Sequence, residues 1–255
     1  MRYLKSLSLS VAVLAAGLWL GAPARALPLT HTDVVTPSWS FTGIQESTVA
    51  ATPADPALLF DQPLGAGDQL VFFPPAFSAQ ASGAGGFDST GSQLQLTITP
   101  NSPTNAIAAV NITEFGDAVM TDFPPPGTAA TGTYANMAGF LTVLEANGLP
   151  ITPVVIGWTG TFTPTNMLSL PGNFGTTLWN GTVSIDVASQ VPNATKVVLS
   201  YDNDLYAYSE AGSSAKIQKK VVDGPAVVIT VIPEPGTIGM LAIGLAGLGF
   251  GVRRN

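Results

Sequence analysis

The chain has 255 residues, of which 46% are hydrophobic and 10% charged, and its formal net charge is −7. This composition fits a folded domain with one sizeable core and argues against disorder throughout. The absence of cysteine excludes disulfides, thiolate metal sites and cysteine nucleophiles. Residues 27–232 carry 15 acidic and four basic side chains, a balance of 11 negative charges. Nucleic acid is not expected as a partner, because its phosphates require Lys and Arg.

The N-terminal segment has the pattern of a secretory signal peptide. Two basic residues precede an apolar run over 7–20, and Ala24 and Ala26 then supply the small residues of a signal peptidase site. We predict cleavage before Leu27, so residues 1–26 form the signal peptide, and the Sec translocon and signal peptidase are expected partners. An uncleaved membrane anchor is the alternative, although the apolar run is short for a permanent span.

Hydrophobic side chains alternate with polar ones through most of the region between the two ends. The clearest case is 93–99, where Leu94, Leu96 and Ile98 face one side of a predicted half-buried strand. Similar strands are predicted at 70–73, 140–144, 154–162, 182–187, 197–201, 205–208 and 226–231. Many short strands separated by Pro, Gly and Asn clusters predict a mainly β domain over 27–230, an antiparallel β-sandwich or a jelly-roll-like fold.

The last third of the domain contains a predicted turn at 210–214, whose composition is Glu-Ala-Gly-Ser-Ser. We predict that the strands on either side of this turn form a hairpin. Three tryptophans, Trp39, Trp158 and Trp179, could line a sugar-binding face by stacking. Large aromatic residues more often fill the core of such a domain, and we expect a core position for all three.

The residues available for catalysis are few. His31 is the only histidine and lies five positions into the predicted mature chain, where termini are usually mobile. A Ser-His-Asp triad is therefore not expected. Two carboxylates flanking a bond could make a glycosidase, but no motif selects two of the 15 acids. We predict that the protein is not an enzyme.

One pair of acids could bind a cation. In Asp202-Asn203-Asp204, the two carboxylates are two residues apart and lie on one face of an extended strand. Hard oxygen ligands suit calcium, so Asp202 and Asp204 form a weak calcium candidate. The alternative is a solvated strand face or a β-bulge. No other cofactor is expected.

The C-terminus carries the most specific pattern in the sequence. Pro233 and Pro235 disfavour helix and hold Glu234 extended, as a peptide recognised in a groove requires. An apolar, Gly-rich run follows and predicts a transmembrane helix at 237–252, close to the lower length limit for a span.

Two basic residues, Arg253 and Arg254, end the chain. By the positive-inside rule, they stay on the cytoplasmic side and leave the preceding domain outside. The predicted topology is therefore an ectodomain outside the cytoplasm, held at the membrane by one C-terminal helix. An ordinary tail anchor with an accidental Pro-Glu-Pro is the alternative.

In these residues the sequence resembles the PEP-CTERM family of exported bacterial proteins, whose tail has a Pro-Glu-Pro motif, a short transmembrane helix and a basic end. The resemblance covers 231–255 and implies recognition by an exosortase, a membrane-embedded processing enzyme. It implies that Pro233, Glu234 and Pro235 are the sorting motif, and that Arg253 and Arg254 help to hold it at the membrane. Members share this tail and differ in their ectodomains.

The expectation is a non-catalytic cell-surface or extracellular-matrix protein, associated with exopolysaccharide or biofilm. It would be anchored transiently in the inner membrane and then processed to the cell surface or the exterior. Exopolysaccharide is a further expected partner, bound through aromatic and polar side chains. The alternative is a secreted, carboxylate-dependent glycan hydrolase.

Overall fold

The computed structural model describes residues 29–50, 58–122, 131–220 and 224–235, without the side chains of 48–50. These residues form strands joined by turns and contain no helix. The strands are β1 (Leu29–Thr30), β2 (Val34–Val35), β3 (Trp39–Ala50), β4 (Leu64–Ala66), β5 (Gln69–Phe72), β6 (Ser78–Ser82), β7 (Gly86–Pro100), β8 (Ile107–Asp122), β9 (Gly132–Ala146), β10 (Leu149–Thr159), β11 (Thr161–Thr163), β12 (Met167–Ser169), β13 (Gly175–Asp186), β14 (Ala194–Ser209), β15 (Ser213–Lys219) and β16 (Val227–Pro233).

The strands form two eight-stranded sheets. Sheet A has the order β1-β3-β7-β14-β9-β10, with β2 added to β3 and β12 added to β9. Sheet B has the order β11-β13-β8-β16-β5-β4, with β15 pairing both β8 and β6. Each pairing of the two sheets is antiparallel. The predicted mainly β, antiparallel fold is therefore confirmed.

The two sheets share one hydrophobic core, which follows from the period-two alternation of their longest strands. On β14, every second side chain faces inward, among them Leu199 and Leu205. On β8, the inward side chains include Ile112 and Met120. Strand β8 pairs with β13 along one edge, while β15 and β16 share its other edge.

One predicted strand, 154–162, is wrong, because the structure divides it between the two sheets. Strand β10 ends at Thr159 in sheet A, and β11 begins at Thr161 in sheet B. Gly160 lies between them and donates its N–H to the carbonyl of Met137 at 2.8 Å. A Cβ at Gly160 would lie 2.2 Å from the Met137 methyl carbon, so a larger residue here would require the end of that flexible side chain to move.

The predicted hairpin around 210–214 is also wrong. The turn exists, with Gly212 at φ 82° and a hydrogen bond from the Ser213 N–H to the Glu210 carbonyl. However, β14 before the turn belongs to sheet A and β15 after it belongs to sheet B. The turn therefore carries the chain from one sheet to the other.

The expectation of a core position for the tryptophans is confirmed. Trp39, Trp158 and Trp179 are 1%, 9% and 3% exposed. Glycines on neighbouring strands make room for two of the rings. A Cβ at Gly139 would lie 2.7 Å from the Trp158 ring, and one at Gly116 would lie 2.3 Å from the Trp179 ring.

The expected mobility of the chain near His31 is wrong. The His31 side chain is buried, and its Nε2 lies 3.2 Å from the Glu46 carboxylate. Its backbone N–H donates to the carbonyl of Ile44 at 2.8 Å. The first residues of the described chain are therefore attached to β3.

The predicted targeting segments lie outside the described residues. These are the signal peptide 1–26 with its cleavage site at Ala24, Ala26 and Leu27, the helix 237–252, and the basic pair Arg253 and Arg254. In the part of the chain that the structure describes, no helix is long and apolar enough to span a membrane.

Candidate functional site

The predicted sorting segment, which begins with Pro233, Glu234 and Pro235, is attached directly to sheet B. Strand β16 continues to Pro233, and the Glu234 N–H donates to the carbonyl of Ala106 at 2.8 Å. The Glu234 carboxylate accepts a hydrogen bond from the backbone N–H of Asn193 at 2.8 Å. Pro233 and Pro235 are exposed on either side of this half-buried glutamate. The Pro-Glu-Pro sequence therefore begins on the folded domain, with no linker between them.

The outer face of sheet A carries a second candidate site, which begins with three aromatic rings on adjacent strands. Tyr206 on β14 pairs directly with Tyr134 on β9, and their ring centroids are 5.8 Å apart. Phe87 on β7 lies diagonally across from Tyr206, with a centroid distance of 6.3 Å. We call Phe87, Tyr206 and Tyr134 the aromatic row. It crosses three strands and faces away from the core.

Two carboxylates lie beside the aromatic row on the same outer face. Asp202 accepts a hydrogen bond from Gln93 Nε2 at 2.9 Å, and Asp204 accepts one from Asn136 Nδ2 at 3.3 Å. Gly91 opposite Asp204 leaves room for its carboxylate, since a Cβ there would lie 2.4 Å from Asp204 Oδ1. The face therefore combines aromatic rings with carboxylate and amide groups.

The partly buried position of these groups changes their acid–base behaviour. Burial raises the pKa of Asp204, and the neighbouring Asp202 raises it further, against the hydrogen bond from Asn136. The pKa of Tyr206 is also raised, by burial first and then by Asp204 and Tyr134. The Tyr206 hydroxyl therefore stays protonated in neutral solution and can donate a hydrogen bond.

The structure places Asp202 and Asp204 on one strand face, as the sequence predicted. No group of three or more His, Cys, Asp or Glu residues suited to a metal ion occurs among the described residues. Calcium takes six to eight oxygen ligands. The calcium site at this pair stays a prediction that two carboxylates alone do not support.

The inner face of β14 belongs to a buried ionic cluster that no motif in the sequence indicates. Lys219 of β15 forms an ion pair with Glu114 of β8 at 2.5 Å, and both side chains are buried. Asn203 of β14 donates hydrogen bonds to Glu114 and to the Tyr201 hydroxyl. The ammonium group lies over the Phe77 ring, 4.7 Å from its centroid.

Burial moves both members of this ion pair toward their neutral forms. Burial raises the pKa of Glu114, against the attraction of Lys219. Burial lowers the pKa of Lys219 to about 8, against the attraction of Glu114. The two side chains are at most 1% exposed, so the cluster belongs to the core and not to a surface site.

A second buried carboxylate, Glu46, is held in a similar way. It accepts hydrogen bonds from Ser92 Oγ at 2.9 Å and from the Leu59 N–H at 2.7 Å, and it contacts His31. These contacts join β3, β7 and the segment that precedes β4. The single histidine of the chain therefore has a packing role here.

The C-terminal residues supply the decisive comparison. Residues 231–255 match the model of the PEP-CTERM protein-sorting motif. The chain carries a PEP-CTERM sorting tail. The match includes Pro233, Glu234 and Pro235, and it implies export, sorting at the membrane and processing by an exosortase. The resemblance to the PEP-CTERM tail that the sequence indicated is therefore confirmed.

No curated protein matches the chain. Among solved structures, it is similar to TmCBM61 in complex with beta-1,4-galactotriose, with 9% identity over 59% of this chain and 70% of that chain and a TM-score of 0.18. It is also similar to the infectious bursal disease virus VP2 subviral particle, with 15% identity over 81% of this chain and a TM-score of 0.13. The match covers 54% of the viral chain. TM-scores this far below 0.5 carry no weight for function.

Proposed function

We propose that the protein is a non-catalytic component of the cell surface or extracellular matrix, carried there by exosortase sorting. Its ectodomain is a two-sheet β-sandwich, as the shared core of sheets A and B suggests. The sorting tail at 231–255 is the observation that carries the proposal. In this proposal, the predicted signal peptide is cleaved, and the predicted C-terminal helix then holds the domain at the inner membrane until the exosortase acts.

The geometry of the domain supports this role. Strand β16 leads directly into the sorting segment, so the domain stays close to the membrane until it is processed. The buried Glu114 and Lys219 are paired with each other within the core. The polar groups of sheet A's outer face remain accessible for contact with other matrix components.

The first experiment compares the intact mass and the cell fraction of the protein with those of a variant carrying Pro233→Ala, Glu234→Ala and Pro235→Ala. We expect the wild type to lose residues 1–26 and its C-terminal helix, while the variant stays in the membrane fraction. Full mass at the C-terminus of both proteins would contradict exosortase processing.

A second variant separates recognition of the motif from its attachment to the domain. Four residues, Gly-Ser-Gly-Ser, are inserted between Ile232 and Pro233, which moves the motif off sheet B without changing it. The matched control carries the same insertion between Ala211 and Gly212, in an exposed turn. We expect processing of both insertion variants, because the motif is intact in each. If only the variant with the insertion between Ile232 and Pro233 is left unprocessed, the exosortase requires the motif to be attached to sheet B.

A secreted glycan hydrolase is the second candidate function. One observation favours it: Asp202 and Asp204 share the outer face, and burial raises the pKa of Asp204, as the acid of a carboxylate pair requires. Both carboxylates lie on an open sheet, and the polar groove lined by Thr113, Thr159 and Thr182 holds no carboxylate. Release of reducing ends from soluble polysaccharide, abolished by Asp204→Asn, would establish hydrolysis and overturn the non-catalytic proposal.

A further inference from the structure

We propose that the outer face of sheet A binds a neutral polysaccharide, with the aromatic row as the stacking surface. The proposal rests on the surface or matrix role proposed above and names the partner of the ectodomain. It concerns Phe87, Tyr206, Tyr134 and the adjacent Asp202 and Asp204.

The rings provide the apolar part of such a site. Phe87 is 67% exposed, a large exposed fraction for a phenylalanine that already contacts another ring. The row spans three adjacent strands, about 10 Å at the usual strand spacing. That length accommodates two or three sugar rings, whose C–H faces stack on aromatic side chains. Met167 on β12 pairs with Tyr134 and extends the apolar edge.

The groups beside the row provide the polar part. A polyhydroxylated ligand needs hydrogen-bond acceptors and donors next to the stacking surface. Asp204 and Asp202 accept hydrogen bonds, while Asn136 and the Tyr206 hydroxyl can donate them. Gly91 beside Asp204 has no side chain, so a polysaccharide chain can approach the carboxylate. An apolar protein partner would leave these carboxylates without hydration or a counter-charge.

Charge decides the class of polysaccharide. Residues 27–232 carry a balance of 11 negative charges. Of their lysines, Lys196 is paired with Glu145 and the buried Lys219 with Glu114, while Lys216 lies on β15 of sheet B. The two carboxylates on the face repel uronate and sulfate groups. The site therefore favours neutral sugars over anionic ones.

The outer face of sheet B differs from this face. Its strands present mainly Thr, Ser and Asn, for example Thr113, Thr182 and Ser184. Phe115 also faces outward on β8, and it forms no ring contact among the described residues. The combination of a ring row with flanking carboxylates distinguishes sheet A.

The test is native gel electrophoresis of the mature protein in gels that contain hydroxyethyl cellulose as a neutral polymer or alginate as an anionic one. We expect the neutral polymer to retard the wild type, and we expect Tyr206→Ala to weaken this retardation at least tenfold. Tyr206→Phe keeps the ring and should retain most of it. Phe174→Ala, at a ring that is 60% exposed outside the row, is the matched control and should not change it.

Thermal unfolding and intact mass are measured for each variant. A mass that lacks residues 1–26 and the C-terminal segment shows that a protein has been processed, so failure of binding and failure of the proposed sorting are distinguishable. Retardation of the wild type by alginate alone, or by neither polymer, would overturn the proposal. Equal retardation of the wild type and a folded Tyr134→Ala/Tyr206→Ala variant would also overturn it. Loss of binding in that variant, with normal unfolding, would support it.

Discussion

The two faces of β14 place polar side chains in different environments. On the inner face, Tyr201 and Asn203 join the buried Glu114–Lys219 ion pair. On the outer face, Asp202 and Asp204 are each held by one amide side chain and remain partly in contact with water. Alternate residues of one strand thus serve a closed ionic cluster and an open surface.

This difference separates stability from recognition. A buried charge without its partner is costly, so each inner group depends on the others. The outer groups are solvated, and their removal changes stability little. Substitutions on the inner face should therefore affect unfolding, while substitutions on the outer face should affect binding.

The largest effect is expected for Lys219→Met. This change leaves Glu114 buried without its counter-ion and should lower the free energy of unfolding by about 3–5 kcal/mol. Urea denaturation measures it. The double variant Lys219→Met/Glu114→Leu removes both charges and should recover most of the loss. A single variant as stable as the wild type would show that the buried pair is not required.

Two glycines compare the faces more directly. Gly139→Ala places a Cβ 2.0 Å from the Ser200 carbonyl oxygen and 2.7 Å from the Trp158 ring, both of them fixed groups. We expect a loss of about 2–3 kcal/mol in unfolding free energy. Gly91→Ala meets mainly the Asp204 carboxylate, which can rotate outward, so a loss below about 1 kcal/mol is expected. Equal losses in the two variants, measured by urea denaturation, would contradict the comparison.

The smallest effect is expected for Asp204→Asn. Burial raises the folded pKa of Asp204, so its charged form is less favourable in the folded chain than in the unfolded one. The amide should stabilise the protein at pH 7 by about 0.5 kcal/mol, allowing for solvent screening. The gain should vanish near pH 3, where the carboxyl is protonated in both states. Urea denaturation of the wild type and the variant at the two pH values measures the difference in unfolding free energy. A variant less stable than the wild type at pH 7 would contradict the prediction.

The alternation of apolar residues was sufficient to predict the strand at 93–99, which lies within β7, and the two segments that merge into β14. It did not reveal β8, the central strand of sheet B. The inward positions of β8 include Glu114 and Gly116, which interrupt the apolar pattern. Glu114 can occupy an inward position because Lys219 pairs with it, and Gly116 because the Trp179 ring lies beside it. Both partners are distant in sequence.

The two candidate sites also differ in whether their residues are contiguous in sequence. The sorting motif is a contiguous pattern, so Pro233, Glu234 and Pro235 could be identified from the sequence. The aromatic row could not, because Phe87, Tyr134 and Tyr206 come from three strands and meet only through the register of sheet A. In the sequence, the tryptophans suggested a possible sugar-binding face, and no pattern linked these three rings.

The most direct test of the matrix role compares the wild type with the Tyr134→Ala/Tyr206→Ala variant in the bacterium that produces the protein. Culture medium and extracellular polysaccharide are separated by sedimentation, and the protein in each is identified by intact mass. We expect both proteins to be processed to the same ends, with the wild type in the polysaccharide fraction and the variant in the medium. Equal amounts of the two processed proteins in the polysaccharide fraction would contradict a matrix role exerted through the outer face of sheet A.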